Sequence, residues 1–234
     1  KKKLVFWLQP NFNKAADQLL TEQIYKFAEE NNISKGEISI LKVPGSEVGK
    51  KMSAALEVNS PPDVTRINEP NLARWKNNLV PLNDIAETMR KVKGGINENS
   101  MALPTEGDNV LAVPMGINPQ SGHVRMDLFE EAGYERFPYT WESFIEASKK
   151  ITKPPFYSYG MALGLYPSDS LWSTMEVVWA YGGTLVDSSG RPALDSEGAV
   201  EGFSLINDMY NKHKIIPKGA ISWNNGGNNK AYMS

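Results

Sequence analysis

Apolar and polar residues alternate along the first part of the chain in a pattern that predicts strands followed by helices. Residues Leu4–Leu8 are apolar throughout, as is typical of a strand buried on both faces of a sheet. From Asn13, which can cap a helix, apolar residues recur at helical spacing as far as Ala28. Further strands are predicted over residues 37–43 and 63–67, with a helix between them. This alternation predicts right-handed crossovers and a mostly parallel sheet.

The second half of the chain continues the alternation with shorter apolar runs. Residues 123–126 predict a short strand, and the helix after it is predicted to end at Gly133. Helices are also predicted over 141–151 and over 171–181, where the sequence is apolar enough for a buried helix. Residues 185–194 place a turn between two short apolar pairs and therefore predict a hairpin.

The segment at 114–119 separates the two alternating halves. A proline at each end fixes φ and removes a backbone donor, whereas Gly116 has wide backbone freedom. Such a segment suits a connection between two bodies. The sequence therefore predicts an α/β fold with a first lobe over 1–114, a hinge crossover over 115–119 and a second lobe over 120–234, with a cleft between the lobes.

Composition excludes several classes of function. The chain has 234 residues, of which 41% are hydrophobic and 22% charged, so it has enough apolar residues to form a core. Its formal net charge of -2 gives no long-range attraction to nucleic acid or an anionic membrane. Cysteine is absent, which excludes disulfides and thiolate nucleophiles. The two histidines, His123 and His213, stand in no metal-binding pattern, so no metal or cofactor is expected. No apolar run reaches the ~20 residues of a membrane span, and any export signal is expected to have been removed.

Two enzymatic hypotheses can be compared with the sequence. Residues 44–51 contain Gly-Lys after a predicted strand, but Pro44 takes the place of the first glycine of a phosphate-binding loop and Lys51 that of the Ser/Thr. This mismatch argues against a nucleotide site. Paired carboxylates for glycoside hydrolysis depend on tertiary distance, and Glu69 with Asp169 is the pair to test. A hydrolase acting on glycans therefore stays open as an alternative.

Tryptophan placement points to sugar chemistry. Trp172 and Trp223 lie among small or polar residues, and Asp169 shortly precedes Trp172. A flat indole can stack on the apolar face of a pyranose, while carboxylate and amide groups hydrogen-bond to neighbouring hydroxyls. Core packing is the alternative for both residues. The other four tryptophans follow strand or helix patterns and are expected in the core: Trp7, Trp75, Trp141 and Trp179.

Polar residues follow the predicted strands of the first lobe. Gln9 and Asn11 come after the first strand, and Asn68 and Glu69 after the third. Ligands of α/β sheets bind at the carboxyl ends of the strands, so these side chains are candidate ligand contacts. Turn formation is the alternative for Gln9 and Asn11, and helix capping is an equally good explanation for Asn68.

Several segments together resemble a known family. They are FW at 6–7, KMSAAL at 51–56, PDV at 62–64, VPMGIN at 113–118, DLFEEAG at 127–133, TWESF at 140–144, GG at 182–183 and the helix capped by Ser196. In this order and spacing, over nearly the whole chain, they resemble the bacterial extracellular solute-binding proteins of the sugar-binding branch, the relatives of maltose-binding protein.

The resemblance implies two α/β lobes that close on a sugar by a hinge motion. By position it implies the following ligand contacts: Gln9, Asn11, Glu47, Asn68 and Glu69 in the first lobe, Asn118 at the hinge, Trp172 as the stacking aromatic of the second lobe and, more loosely, Trp223. Two departures stand out. Residues 123–127 lack the aromatic that the family carries before Asn-Lys-Asp, and residues 229–234 begin a Phe/Tyr-x-x-Gly motif without its glycine. The second lobe is therefore expected to be incomplete.

The expected function is a non-enzymatic, extracytoplasmic carrier, in the periplasm or on the outer face of the cell membrane. It would bind a mono- or oligosaccharide without a cofactor and deliver it to the permease subunits of an ABC importer. A monomer is expected, with membrane contact only through the permease or a removed lipid anchor. Besides the hydrolase, a sensory module for another small polar ligand stays open.

Overall fold

The computed structural model describes residues 3–11, 13–117, 121–165, 169–223 and 226–234, with the backbone alone for Glu69 and Pro70. The chain divides into two compact units, Lys1–Pro119 and Gln120–Ser234. The hinge function of 115–119 remains a prediction.

A three-stranded parallel sheet forms the centre of the first unit. Its strands, in the order β2-β1-β3, are β1 (Leu4–Leu8), β2 (Ile38–Lys42) and β3 (Val64–Thr65). Leu4 is in register with Ile38, and Phe6 with Val64. The predicted parallel sheet is confirmed, with a third strand shorter than the sequence indicates. Because all three strands run in the same direction, the polar residues that follow them come to one edge of the sheet.

Helices cover both faces of β1. The helices of the first unit are α1 (Lys14–Glu30), α2 (Gly45–Glu57), α3 (Glu69–Trp75) and α4 (Asn83–Lys91). Phe6 and Leu8 form a buried cluster with Ile24 of α1, whereas Trp7 packs against a second cluster that contains Val48 of α2 and Trp75 of α3. Successive side chains of a strand point to opposite faces, so β1 is enclosed from both sides, as its apolar run predicts.

A small antiparallel hairpin lies near the end of the first unit. It pairs β4 (Thr105–Glu106) with β5 (Asn109–Val110). The turn contains Gly107 at φ +58°, a conformation that glycine adopts without strain. The apolar residues at 110–113 predict a strand over that range, but strand pairing ends at Val110, because the chain pairs locally across this turn.

The second unit is mainly helical in its described part. Its helices are α5 (Met126–Glu131), α6 (Trp141–Ile151), α7 (Asp169–Ala180), α8 (Glu197–Asn207), which continues as one π-helical turn, Asp208–Lys212, and α9 (Gly227–Met233). Its core includes Phe144 of α6, Val177 of α7 and Met209. Within its described residues, strand pairing is limited to the isolated bridges Lys153↔Phe156 and Val186↔Pro192.

One strand predicted in the second unit is absent. Residues 123–125 are irregular, and α5 begins at Met126. Arg125 Nε donates a hydrogen bond to Asp127 Oδ1 at 2.9 Å, and Asp127 lies in the first turn of α5. A carboxylate there is stabilised by the helix dipole, so the local preference for a helix start prevails over a short apolar pattern.

Close glycine contacts fix the position of α7. Gly182, at φ +75°, follows the helix, as expected for a glycine that ends one. A Cβ at Gly202 of α8 would lie 2.7 Å from the Val178 Cα, and one at Gly183 would lie 2.6 Å from the Ala199 backbone nitrogen. The two helices therefore pack backbone against backbone, which places the start of α7 relative to the rest of the unit. Among the described residues, no helix is both long and apolar enough to cross a membrane.

Candidate ligand-binding site

A polar network occupies the carboxyl edge of the parallel sheet. Gln9 Nε2 donates to the Arg66 carbonyl at 3.0 Å, and Arg66 Nη1 donates to Asn11 Oδ1 at 2.8 Å. The backbone N–H and Nδ2 of Asn11 both donate to Asp17 Oδ1 at 2.8 Å, and Lys42 Nζ lies 3.3 Å from Asp17 Oδ2. The structure thus brings Gln9 and Asn11 together, as their positions after β1 predict.

Asp17 is the anchor of this network. Its side chain lies near the start of α1 and is only 9% exposed. The backbone N–H of Asn11 lowers the pKa of this carboxyl below its usual value of 3.8; burial opposes that effect, while the Asn11 side chain and Lys42 add to it. Asp17 is therefore ionised at neutral pH. It holds Asn11 in place, and the amide of Asn11 in turn holds Arg66.

Sequence reasoning missed Asp17, Lys42 and Arg66. Lys42 is the last residue of β2, and Arg66 directly follows β3. Arg66 occupies the position after its strand that Gln9 occupies after β1, and Lys42 lies one residue earlier, in register with Leu8. Their place at the carboxyl ends of the strands is the signal that could have identified both residues. Asp17 carries no such signal, because it reaches the edge from a helix.

The remaining candidates of the first unit stand in different surroundings. Glu47 is exposed in the first turn of α2, where its carboxylate lies 3.3 Å from Lys51 Nζ. Asn68 precedes α3, but its side chain caps no backbone N–H; its Oδ1 accepts a hydrogen bond from Asn71 Nδ2 at 2.8 Å. Its own amide nitrogen has no protein acceptor among the described residues and can donate to a ligand. Glu69 is the first residue of α3, and Asn118 lies outside the described residues.

The candidates of the second unit lie around the start of α7. Asp169 is the first residue of this helix, and its Oδ2 accepts a hydrogen bond from the backbone N–H of Gly226 at 3.0 Å. Trp172, three residues further on, is half-buried. Trp223 precedes Gly226 by three residues and packs at the margin of the core. Asp169 thus joins the segment that carries Trp223 to the helix that carries Trp172.

Two glycines, Gly164 and Gly227, lie close against Trp223. A Cβ at Gly164 would lie 2.0 Å from the Trp223 carbonyl oxygen, and one at Gly227 would lie 2.6 Å from the Trp223 Cβ. Its half-buried indole therefore has a packing role in the structure, which is the alternative that the sequence left open. A role in ligand binding stays a prediction.

Trp179 departs from the expectation that it lies in the core. It is 48% exposed, and its ring centroid lies 6.2 Å from that of Trp172, with an angle of 51° between the planes. Trp75, by contrast, is 3% exposed, as expected. The core face of α7 is formed by residues such as Met175 and Val177. Polar and apolar residues are mixed around this helix, so its periodicity does not show which side faces outward.

Glu176 lies one turn after Trp172 on the same helix. Burial raises the pKa of this carboxyl. Burial also raises the pKa of Tyr159 to about 12, and the negative charge of Glu176 adds to that effect. Glu176 and Tyr159 are therefore close enough to interact electrostatically, in partly dehydrated surroundings. No group of three or more potential metal ligands is found among the described residues.

Comparisons with known proteins extend these observations. The family model for bacterial extracellular solute-binding proteins matches residues 9–233. Among solved structures, an ABC transporter solute-binding protein from Thermotoga lettingae TMO, bound with alpha-D-tagatose, is 20% identical with a TM-score of 0.76, covering 95% of this chain and 57% of that one. Maltose-bound MalE3 of T. maritima is 21% identical with a TM-score of 0.75, covering 97% of this chain and 58% of that one.

A curated relative matches a shorter stretch. A protein of Brucella abortus (strain 2308) named as a binding protein is 23% identical over 117 residues, which is 50% of this chain and 28% of that protein. This chain thus spans little more than half the length of the two solved structures and less of the curated relative. The structural likenesses confirm the predicted fold class. With the family match over residues 9–233, they show that the chain belongs to the bacterial extracellular solute-binding protein family.

Proposed function

We propose that this chain is part of a non-enzymatic carrier that captures a mono- or oligosaccharide and delivers it to the permease of an ABC importer. The observation that carries the proposal is the half-buried indole of Trp172, which lies one turn from the Asp169 carboxylate at the start of α7. An indole face binds the C–H surface of a sugar ring, and carboxylate and amide groups accept or donate hydrogen bonds to its hydroxyls. Tagatose and maltose, the ligands of the two similar solved structures, are both carbohydrates.

The first unit supplies polar groups of the required kind. The amide donors of Asn68 and the guanidinium of Arg66, which Asn11 orients, stand at the edge of the sheet where α/β proteins bind ligands. A fixed polar edge of this sort reduces the ordering cost of binding, because its side chains are already held in place.

Delivery to a permease, hinge closure about residues 115–119 and a monomeric state are parts of the same proposal. The family is extracellular, which supports a location in the periplasm or on the outer face of the cell membrane. Contact with the membrane would then be made through the permease or through a lipid anchor on the full-length protein.

Titration calorimetry on the full-length protein tests the proposal. The panel comprises tagatose, glucose, galactose, ribose, maltose, cellobiose and sucrose. We expect at least one carbohydrate to bind, and Trp172→Ala to weaken that binding by about tenfold, the loss of one aromatic contact. The control is Phe156→Ala, which removes a 45% exposed aromatic from the same unit and should leave affinity unchanged.

The same samples separate carrier from hydrolase. Each oligosaccharide is incubated with the protein and analysed for cleavage by anion-exchange chromatography. A carrier returns the sugar intact. Binding of no carbohydrate would contradict the proposal, and so would cleavage that Glu69→Gln abolishes.

A further inference from the structure

Three side chains of α7 form an outward-facing stripe. Trp172, Glu176 and Trp179 are spaced by four and three residues, which places them on one face of the helix. Trp179 is 48% exposed, Glu176 is exposed and Trp172 is half-buried, so the stripe is accessible from outside the unit. The two indoles are neighbours, with ring centroids 6.2 Å apart.

Two adjacent indoles on an accessible helix face differ from scattered surface residues. Single exposed apolar side chains are normal and need no functional explanation. Here, however, the indole of Trp179 lies beside that of Trp172 along the helix, and the planes of the two rings are inclined to each other by 51°. A sugar ring stacked on Trp172 would therefore have a second aromatic surface beside it, at a different inclination.

The carboxylate of Glu176 supplies the polar part of this surface. It makes no hydrogen bond or ion pair to any other described residue, while Asp169 on the same helix binds Gly226. Partial burial already raises its pKa, and hydrogen-bond donors from a ligand would compensate for the water that it has lost. A carboxylate accepts two hydrogen bonds from neighbouring hydroxyls, the arrangement that a sugar offers.

We propose that Trp179 and Glu176 form a second sugar subsite beside Trp172, so that the ligand is an oligosaccharide of at least two units. This inference rests on the proposed carbohydrate function and specifies the ligand class further. One unit stacks on Trp172, the next contacts Trp179, and Glu176 accepts hydrogen bonds from hydroxyls near the linkage. The sequence alone does not predict this surface, because its helical pattern places Trp179 in the core.

Calorimetry with matched mono- and disaccharides tests the inference on the full-length protein. The probes are glucose, galactose, fructose and tagatose, against maltose, cellobiose, lactose and sucrose. We expect one disaccharide to bind at least about tenfold more tightly than its component monosaccharides. Trp179→Ala should remove about that factor from disaccharide affinity and clearly less from monosaccharide affinity, where its indole acts only through its contact with Trp172. Glu176→Gln, which keeps one acceptor, should lose less, and Phe156→Ala should lose nothing.

The outcomes distinguish the two proposals. If the wild type binds no carbohydrate, the carrier function itself is wrong. If it binds monosaccharides as tightly as disaccharides, or if Trp179→Ala changes neither, the sugar function stands and the second subsite is wrong. Two indoles with a carboxylate could also hold a quaternary ammonium. Binding of choline that Glu176→Gln abolishes would therefore overturn the inference.

A folding defect would not hide the result. Circular dichroism and thermal unfolding establish whether Trp179→Ala retains its fold. Trp179→Phe keeps a smaller aromatic surface, so an intermediate disaccharide affinity supports stacking. Disaccharide affinity equal to wild type in a folded Trp179→Ala protein contradicts it.

Discussion

The Asp169 carboxylate is hydrogen-bonded to the backbone N–H of Gly226, 57 residues away in sequence, at 3.0 Å. Gly226 has φ +83° and directly precedes α9. Asp169 therefore connects the start of α7 to the start of α9. A residue that the sequence offers as a candidate catalytic acid has a positioning role in the structure, since it fixes a second segment of the candidate site.

Replacing Asp169 tests this positioning role. Asp169→Ala removes the acceptor and should lower the free energy of unfolding by about 1–2 kcal/mol. Asp169→Asn keeps an acceptor and should lose less, and both should weaken sugar affinity in the same order. Urea unfolding and calorimetry provide the two readouts. A fully stable Asp169→Ala protein would show that the hydrogen bond to Gly226 contributes nothing measurable.

Asn11 and Asn13 offer a matched pair of substitutions. Asn11 Nδ2 donates to Asp17 Oδ1 at 2.8 Å, so Asn11→Asp would place two carboxylates in contact. Repulsion should destabilise the protein by about 1–3 kcal/mol at neutral pH, since a donor is lost and a like charge added. Asn13 caps α1 by accepting from the Ala15 N–H at 2.9 Å, a role that Asp fills equally well.

Asn13→Asp should therefore leave stability unchanged or slightly higher. Urea unfolding of both variants at neutral pH makes the comparison, because each substitution adds one negative charge near the same helix end. Equal stability of the two variants would mean that the Asn11–Asp17 contact is not maintained in solution.

The lowered pKa of Asp17 predicts a dependence of stability on pH. Its carboxyl has a lower pKa in the folded protein than its usual 3.8, chiefly because of the Asn11 backbone N–H. The unfolded chain then binds the proton more readily. The stabilisation is fully present above the unfolded pKa and is lost as pH falls through the folded one.

Unfolding free energies at several pH values test this sign. Between about pH 5 and about pH 3, the wild type should lose more stability than Asp17→Asn, whose residue 17 does not titrate in that range. The difference between the two proteins should be greatest above pH 5. Parallel curves over the whole range would show that Asp17 ionisation does not contribute to folding.

Local patterns were sufficient for most of the first unit. The apolar run of β1 indicated burial on both faces, and the Asn13 cap was readable because its partner, Ala15, is two residues away. The strand predicted over 123–126 is absent, and this error also has a local cause. A four-residue apolar pattern is weak, and a helix-starting carboxylate at Asp127 is also a local signal.

Tertiary relationships were beyond the sequence. Arg66 and Asp17 meet through Asn11 only because α1 and β3 are placed beside the end of β1. Trp179 faces outward because the packing of α7 against α8 selects which side of this weakly amphipathic helix is buried. Neither arrangement can be derived from residue spacing within one element, which is why both were missed.

The close contact between α7 and α8 decides whether Gly202→Ala stabilises or destabilises the protein. Gly202→Ala would ordinarily stabilise a helix by up to about 1 kcal/mol. Here the added Cβ would lie 2.7 Å from the Val178 Cα, a backbone atom that can move only with its helix. Overpacking should cost about 1–3 kcal/mol and displace the helix that carries Trp172, so sugar affinity should fall as well.

Gly160→Ala is the matched control in the same unit. A Cβ at Gly160 meets no atom within 4 Å, and the residue does not have a positive φ that disfavours alanine. This substitution should leave stability unchanged or raise it by up to about 1 kcal/mol, because alanine restricts the unfolded chain. Thermal unfolding and urea titration of both variants provide the measurement. If Gly202→Ala is as stable as Gly160→Ala, α7 and α8 do not approach each other in solution as closely as in the structure. The outward-facing placement of Trp172, Glu176 and Trp179 on α7 then loses its support.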